Sequence, residues 1–214
     1  MTPAVPGSIR AEHERAGRPP VTSRAELELV ALDLFERGGF EHTTVADIAA
    51  AAGISRRTFF RYYASKNDVV WGDFDGMLRR MAQWLADAPD DRPLLETVTD
   101  AVVRFNDLPP AAVPAHRRRM SLILHVPALQ AHSTLRYADW RGVVARYAAR
   151  RLGLDTAELV PQLVGHVALG AAVAAYEQWL ADESTDLGSL LGIALGALDL
   201  RPALAAGRWP RPGR

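Results

Sequence analysis

The sequence predicts an all-α protein: an N-terminal three-helix helix-turn-helix domain followed by a larger C-terminal helical domain. Three observations carry this. Apolar residues recur at i, i+3, i+4 and i+7 through most of the chain, and no stretch of convincing length alternates with period two. Ser or Thr followed three residues later by Asp or Glu marks helix starts at Ser23/Glu26, Thr44/Asp47 and Ser65/Asp68. Glycines stop helices at Gly38-Gly39, Gly53 and Gly153, where a left-handed turn carries no steric cost for that residue.

Residues 1–22 contain Pro3, Pro6, Pro19 and Pro20 and no apolar periodicity, and read as a mobile arm. Ser23 opens the first helix, with Leu27, Val30, Ala31, Leu34 and Phe35 inward and Phe40 folded back onto the core. Thr44 caps the second helix, whose stripe is Val45, Ile48, Ala49 and Ala52. Gly53 and Ile54 make the turn, and Ser55 caps the third helix, Arg56 to Tyr63. Ser65 opens a longer helix with a stripe of Trp71, Phe74, Met77, Leu78, Met81 and Leu85, weakened at Gly72 and Gly76. Leu94–Phe105 reads as helix, then a break at Pro109-Pro110. His116–His125 is the next helix, ended by Pro127. Leu129–Arg151 follows, with Leu135, Trp140, Val143, Val144 and Tyr147 facing inward. Two small-residue helices, Leu159–Leu180 and Leu187–Leu204, complete the core before a Pro/Arg-rich tail. The expected domains are therefore the arm 1–22, a helix-turn-helix unit 23–68, a helical unit 69–205 and a tail 206–214.

Composition excludes several chemistries. The 214-residue chain has no cysteine, so disulfides, thiolate metal sites and cysteine nucleophiles are out. Its six histidines lack paired-ligand spacing, so neither metal nor cofactor is expected. No uninterrupted apolar run approaches the ~20 residues of a membrane span, and the charged N-terminus lacks a signal-peptide core, so the cytoplasm is the expected location.

Net charge is zero, but its distribution is uneven. Residues 54–66 hold Arg56, Arg57, Arg61 and Lys66 and no acid. Among the first four helix starts, only the third lacks the first-turn acid that would stabilise its N-terminus by up to ~1 kcal/mol. That end is set up for another anion, and a phosphate backbone supplies one. A second basic stretch, residues 112–152, carries Arg117, Arg118, Arg119, Arg136, Arg141, Arg146, Arg150 and Arg151 against Asp139 alone. An arginine run of this kind is ordinarily a solvated helix face.

Residues 24–85 resemble the DNA-binding module of TetR-family transcriptional regulators. The likeness rests on Ala31-Leu32-Asp33-Leu34-Phe35, Gly38-Gly39-Phe40, Thr43 to Ala49, Ala52-Gly53-Ile54-Ser55, Thr58 to Tyr63 and Ser65-Lys66-Asn67. Arg56 to Asn67, Trp71 to Asp75 and Val126 to Ser133 are similar to the mycofactocin-associated branch. The resemblance implies a TetR-like homodimer whose C-terminal domain binds a ligand and thereby changes the spacing of two DNA-reading heads. Phe60, where a tyrosine is usual, and Arg61 and Tyr62, where histidines are frequent, depart from the commoner pattern and bear on the operator sequence.

On this reading Arg56, Arg57, Thr58, Arg61 and Tyr62 reach bases or phosphates from the third helix in the major groove, with Ser55 and Phe60 in the same docking surface. Thr44 and Lys66 position phosphates, although Thr44 is equally an N-cap and Lys66 an ordinary surface residue. Arg10, Arg15 and Arg18 either enter the minor groove or belong to an inert tail. The last two helices form a four-helix dimer interface through small residues such as Gly165, Gly170 and Gly192; the plainer account is close packing within one chain. The middle helices enclose an effector pocket lined by Trp84, Phe105, Leu122, Leu124, Trp140, Tyr147, Val167 and Tyr176, each of which is equally plain core. Arg117-Arg118-Arg119 beside it suit an anionic head group, as in an acyl-coenzyme A. The expected function is a regulator, by family default a repressor, that is not an enzyme. Its partners are a palindromic double-stranded DNA operator, a second copy of itself and a small-molecule effector, with no membrane. The alternatives are a DNA binder without an effector, which a void-free C-terminal core favours, and a tethered helical enzyme using His125, His132 or His166 with Asp139 or Glu177.

Overall fold

The computed structural model describes residues 23–198; the expected arm, the end of the last helix beyond 198 and the tail lie outside the described residues. Ten α-helices follow one another: α1 Arg24–Gly38, α2 Val45–Ala51, α3 Arg56–Tyr62, α4 Lys66–Trp71, α5 Phe74–Ala86, α6 Leu94–Phe105, α7 Val113–His125, α8 Pro127–Leu152, α9 Leu159–Ala181 and α10 Leu187–Gly196. A 3-10 turn over Pro110–Ala112 leads into α7, and no strand occurs among the described residues.

Helices α1 to α3 form the small head. Both halves of the capping box are made at Ser23/Glu26 and at Thr44/Asp47. Gly39 and Gly53 take positive φ, at 78° and 68°, where the chain leaves α1 and crosses between α2 and α3. Leu27, Ala31, Phe35, Ile48, Ala49 and Phe59 are buried together, and Phe40 folds back on Phe35 with ring centres 4.9 Å apart. The expected boundary at residue 68 falls inside α4, which packs on α1.

In the larger unit α8, α9 and α10 pack side by side, with α5, α6 and α7 across them. Helix α9 is long and apolar enough to cross a membrane, but a face of it is buried against α8 and α10, as in a core helix. At Gly165 a Cβ would stand 2.9 Å from the Arg141 carbonyl oxygen, so this glycine sets the close approach of α9 to α8 within the chain rather than serving a dimer.

Four sequence expectations change. The single helix expected after Ser65 is two, because Gly72 takes φ 58° and a Cβ there would lie 2.7 Å from a Glu28 carboxylate oxygen. Pro127 starts α8 instead of ending α7, since its missing N–H costs nothing at the first helical position. Leu135 faces outward at 68% exposure, while Trp140, Val143, Val144 and Tyr147 are buried as expected. The last helix stops at Gly196, short of Leu204.

Candidate nucleic-acid interface and effector cavity

Helix α3 buries Phe59 and turns Arg56, Arg57, Phe60 and Arg61 outward, with Phe60 48% exposed. Thr58 and Tyr62 are half-buried at its margin. The helix has no acid in its first turn, and its three arginines form no ion pair among the described residues. The Arg61 guanidinium lies 5.3 Å from the Tyr62 ring centre, which orients it on the surface. Ser55 accepts the Thr58 N–H at 3.0 Å, with the two hydroxyls 2.9 Å apart, so its side chain is committed to the cap. Thr44 is committed likewise: its hydroxyl accepts from the Asp47 N–H and donates to the Asp47 carboxylate at 2.7 Å. The hydrogen bond from the Thr44 hydroxyl, and then that from its backbone N–H at 2.8 Å, hold the Asp47 carboxyl pKa below its ordinary value.

Lys66 does not present a free ammonium. Its Nζ donates to the carbonyls of Phe40 at 2.7 Å, Glu41 at 3.2 Å and Thr43 at 3.1 Å, and stands over the Phe40 ring. An ammonium has three donors, and all three are used to tie the turn between α1 and α2 to the start of α4. This internal role competes with the expected phosphate contact.

Most of the second arginine cluster is neither a solvated face nor a free anion site, although Arg146 is exposed. Arg118 bridges Asp33 at 2.8 Å and Glu36 at 3.0 Å on α1. Arg119 reaches Glu28 on α1 at 2.5 Å. Arg117 donates to the Trp179 carbonyl and stacks 4.1 Å from that indole's centre. On α8, Arg136 holds Asp68 at 3.0 Å and Asp75 at 2.9 Å, Arg150 donates to the Leu85 carbonyl, and Arg151 to those of Asp90 and Arg92. Burial disfavours the Asp68 anion, but hydrogen bonds from Ser65 and Arg136 outweigh it, and its carboxyl titrates below the usual value. These side chains fasten the head to the larger unit and the helices of that unit to one another.

An apolar cavity of about 350 Å³ lies between α1, α4, α5, the end of α6, α7, α8 and α9. Of the expected lining it contains Phe105, Trp140, Tyr176 and Arg119. Trp84 and Tyr147 do not line it, although Arg80, one turn before Trp84 on α5, and Trp140, two turns before Tyr147 on α8, do. Tyr147 instead accepts from Arg151. Leu122, Arg117 and Arg118 line a second, more open cavity of about 570 Å³ shared with Glu36, Glu177 and Glu183, a setting that repels an anionic head. Leu124 and Val167 line neither cavity.

The sequence reading missed Trp71, Tyr137, His116, Asn106 and Glu28, which complete the apolar cavity. One signal was present: Leu169, Ala172, Val173 and Tyr176 stand at i, i+3, i+4 and i+7 on α9, and all four line it. Tyr176 donates to Asn106 Oδ1, so its single proton is spent and the His116 Nε2 proton completes the 2.8 Å contact to the Tyr176 oxygen. Burial, then the nearby Arg119 charge, push the His116 pKa down to about 4, so the ring is neutral at pH 7. The Trp71 indole N–H and Arg119 Nε are buried without a hydrogen-bond partner among the described residues. Tyr137 has Ser133 as a polar neighbour, but that hydroxyl's proton goes to the Leu129 carbonyl and the phenol makes no hydrogen bond of sound geometry.

The histidines of the enzymatic alternative are scattered. His125 contacts the Ser121 carbonyl of its own helix, His132 lies 3.4 Å from Asp68, and His166 is exposed on α9.

Comparison with known proteins identifies the two units. Residues 29–70 match the family model for bacterial regulatory proteins of the tetR family, and residues 92–201 match that of the MftR C-terminal domain. The chain is 46% identical over 184 residues to the Mycobacterium tuberculosis protein named for transcriptional regulation of mycofactocin biosynthesis, MftR, covering 85% of this chain and 92% of that one. It is 32% identical to the HTH-type transcriptional regulator TcmR of Streptomyces glaucescens, covering 89% and 88%. Among solved structures, a TetR-family regulator from Syntrophomonas wolfei superposes with a TM-score of 0.60 at 15% identity, covering 87% and 96%. Thermus thermophilus FadR in complex with lauroyl-CoA superposes with a TM-score of 0.51 at 21% identity, covering 90% and 100%.

Proposed function

The chain belongs to the TetR family of bacterial transcriptional regulators, and from that premise we propose that it is a cytoplasmic, ligand-responsive repressor that binds a palindromic operator as a homodimer. The observation that carries the DNA reading is α3: three exposed arginines on a helix that leaves its own first turn without an acid. Arg56, Arg57 and Arg61 supply base or phosphate contacts, and Thr58, Phe60 and Tyr62 flank them. Ser55 and Thr44 serve through their caps, which fix how the helices meet the backbone.

Dimerisation is supported by the outer face of α9 and α10. Leu159 and Ile193 are 57% and 69% exposed, and a Cβ at Gly170, Gly192 or Gly196 would meet nothing within 4 Å. A second copy on this face covers the apolar surface and delivers two α3 helices to half-sites about 34 Å apart, or multiples.

The effector reading is supported by the 350 Å³ cavity, which has the size and apolar lining of a small-molecule site and argues against a binder with a solid core. An acyl-coenzyme A is the first candidate, by likeness to the FadR complex. Its acyl chain would lie among Phe105, Met120 and Trp140, and its phosphates would be met at the edge by Arg80, which is exposed and held only by a 3.6 Å ion pair to Asp73 and a contact with Met77. All of the related proteins described above with a stated role are regulators, and no catalysis is assigned.

The test is selection of bound DNA from a random pool, then titration of the selected complex with lauroyl-CoA and lauric acid, followed by fluorescence anisotropy. A two-fold-symmetric consensus and release by either compound are expected. Enrichment of no sequence overturns the DNA reading; a selected operator that neither compound releases overturns the acyl effector alone.

A further inference from the structure

We propose that the cavity recognises an oxygen acceptor, foremost a carboxylate, on an otherwise apolar effector through Arg119, and that this contact competes with Glu28, the carboxylate that holds the end of α3. The proposal rests on the effector reading and assigns it a head group and a route to the DNA-binding helix.

The first support is the unpaired polar chemistry of the cavity. Trp71 Nε1 and Arg119 Nε lack partners, and Trp71 is only 7% exposed. Both groups can donate and neither can accept, so their complement is an oxygen acceptor. The rest of the wall is mostly apolar; its two carboxylates, Glu28 and Asp73, are each paired with an arginine, Arg119 and Arg80.

The second support is what Arg119 already holds. Its Nη2 donates to Glu28 Oε2 at 2.5 Å, and the two side chains are 23% and 12% exposed. The other Glu28 oxygen accepts the Tyr63 hydroxyl at 2.6 Å. Tyr63 is the residue that closes α3, and its backbone N–H is bonded to Phe59. Burial and then Glu28 push the Tyr63 phenol well above its ordinary value, so it remains a donor. One carboxylate thus joins the cavity-lining arginine of α7 to the end of the DNA-binding helix.

The two carboxylates compete for one guanidinium. Arg119 holds Glu28 through Nη2 alone, and its Nε is buried without a partner. A ligand carboxylate bound bidentate through Nη2 and a second N–H draws Arg119 away from Glu28. Glu28 is then a half-buried anion without its counter-charge, its preferred rotamer changes, and the hydrogen bond to Tyr63 is lost with it.

The test uses the full-length protein, the selected operator, and two probes of matched chain, lauric acid and dodecylamine. Binding is read from the fluorescence of the tryptophans, two of which line the cavity, and release from operator anisotropy. Wild-type protein should bind laurate at least about tenfold more tightly than dodecylamine and lose about tenfold in operator affinity when saturated. The paired variant Glu28→Gln/Arg119→Met leaves no lone buried charge and should bind operator with an affinity that laurate changes less than about twofold. Arg119→Lys keeps the ion pair but has no fork; it should retain operator affinity and lose the response to laurate, and it decides the matter if the paired variant does not fold. Release by laurate from either variant to the wild-type extent overturns the switch while leaving the effector cavity standing. Equal affinity for the amine overturns the acceptor preference. Absence of laurate binding to wild-type protein overturns the proposal; the effector reading falls with it only if lauroyl-CoA also fails to bind.

Discussion

Arg24 donates from Nη2 to the Tyr62 carbonyl at 2.7 Å, so the first residue of α1 satisfies one of the last carbonyls of α3. The same guanidinium lies 4.8 Å from the Tyr63 ring centre. The DNA-binding helix is thus held at its C-terminus by a residue far from it in sequence. Arg24→Ala should lower stability by about 1 kcal/mol, an exposed charge-assisted hydrogen bond being worth that or less. Operator affinity should fall several-fold because α3 loses its fixed angle. Chemical denaturation and operator titration on the same preparation check both; unaltered affinity would show that the angle of α3 is set elsewhere.

Arg57→Ala/Arg61→Ala should abolish sequence-specific binding while leaving the melting temperature unchanged, since both side chains are exposed. The dependence of residual binding on salt should flatten, each lost phosphate contact removing close to one unit of slope. Anisotropy across a salt series measures this. A wild-type footprint on the selected operator would remove α3 from the interface.

Lys66→Met separates an internal staple from a phosphate contact. Three carbonyls lose their donor and the Phe40 ring its cation, so stability should drop by about 2 kcal/mol. The salt slope of operator binding should stay as in wild type. A lower slope with unchanged stability is the opposite result and would restore the phosphate role.

His116 makes stability depend on pH. Its folded pKa is depressed from 6.5 to about 4, so between those values the unfolded chain binds a proton that the native state refuses. Stability is therefore fully present above about pH 6.5 and is lost as pH falls toward 4, by about 3 kcal/mol at the bottom of the window. His116→Gln keeps an N–H for the Tyr176 oxygen without a titrating ring, and its melting temperature should be flatter between pH 7 and 5. Above pH 5 the signal is separate from Asp68, whose carboxyl titrates below its ordinary 3.8. Parallel curves for variant and wild type would contradict the assignment.

Gly170→Leu and Ile193→Glu test the outer face of α9 and α10. Neither change meets an intrachain obstacle, since Gly170 opens onto free space and Ile193 is 69% exposed. Each should convert a dimer to monomer in sedimentation velocity with little change in helix content. Dimers that persist in both variants place the interface on another surface.

The head was legible because its determinants are local. Ser23, Thr44, Gly39 and Gly53 act on residues within a turn of themselves, and the caps and positive φ angles fall where their spacing predicts. The outward turn of Arg56, Arg57 and Arg61 follows from Phe59 being buried on a helix of fixed period. The cavity and the second arginine cluster were not legible in the same way. Arg119 and Glu28 are 91 residues apart, and Arg118 and Asp33 are 85. Nothing in the run Arg117-Arg118-Arg119 distinguishes an arginine with a distant carboxylate from one in water. The sequence reading groups Leu135 with Trp140, but five residues turn it about 140° from that stripe, and it is 68% exposed between buried Leu129, Ser133 and Trp140. Gly72 was read as a weak spot in one helix; its positive φ, which strains any other residue, and its contact with the Glu28 carboxylate come only from the folded structure.

The arginine clamps carry a kinetic consequence. With Arg118, Arg119 and Arg136 each neutralised by a carboxylate of the same chain, and basic and acidic residues equal at 25 each, the molecule has little far field to draw it to a polyanion. Its encounter with the duplex starts only when α3 is within a Debye length, about 8 Å in physiological salt. Association should be slow for a regulator and nearly insensitive to ionic strength at long range, leaving the lifetime of the bound complex to set how long a promoter stays closed.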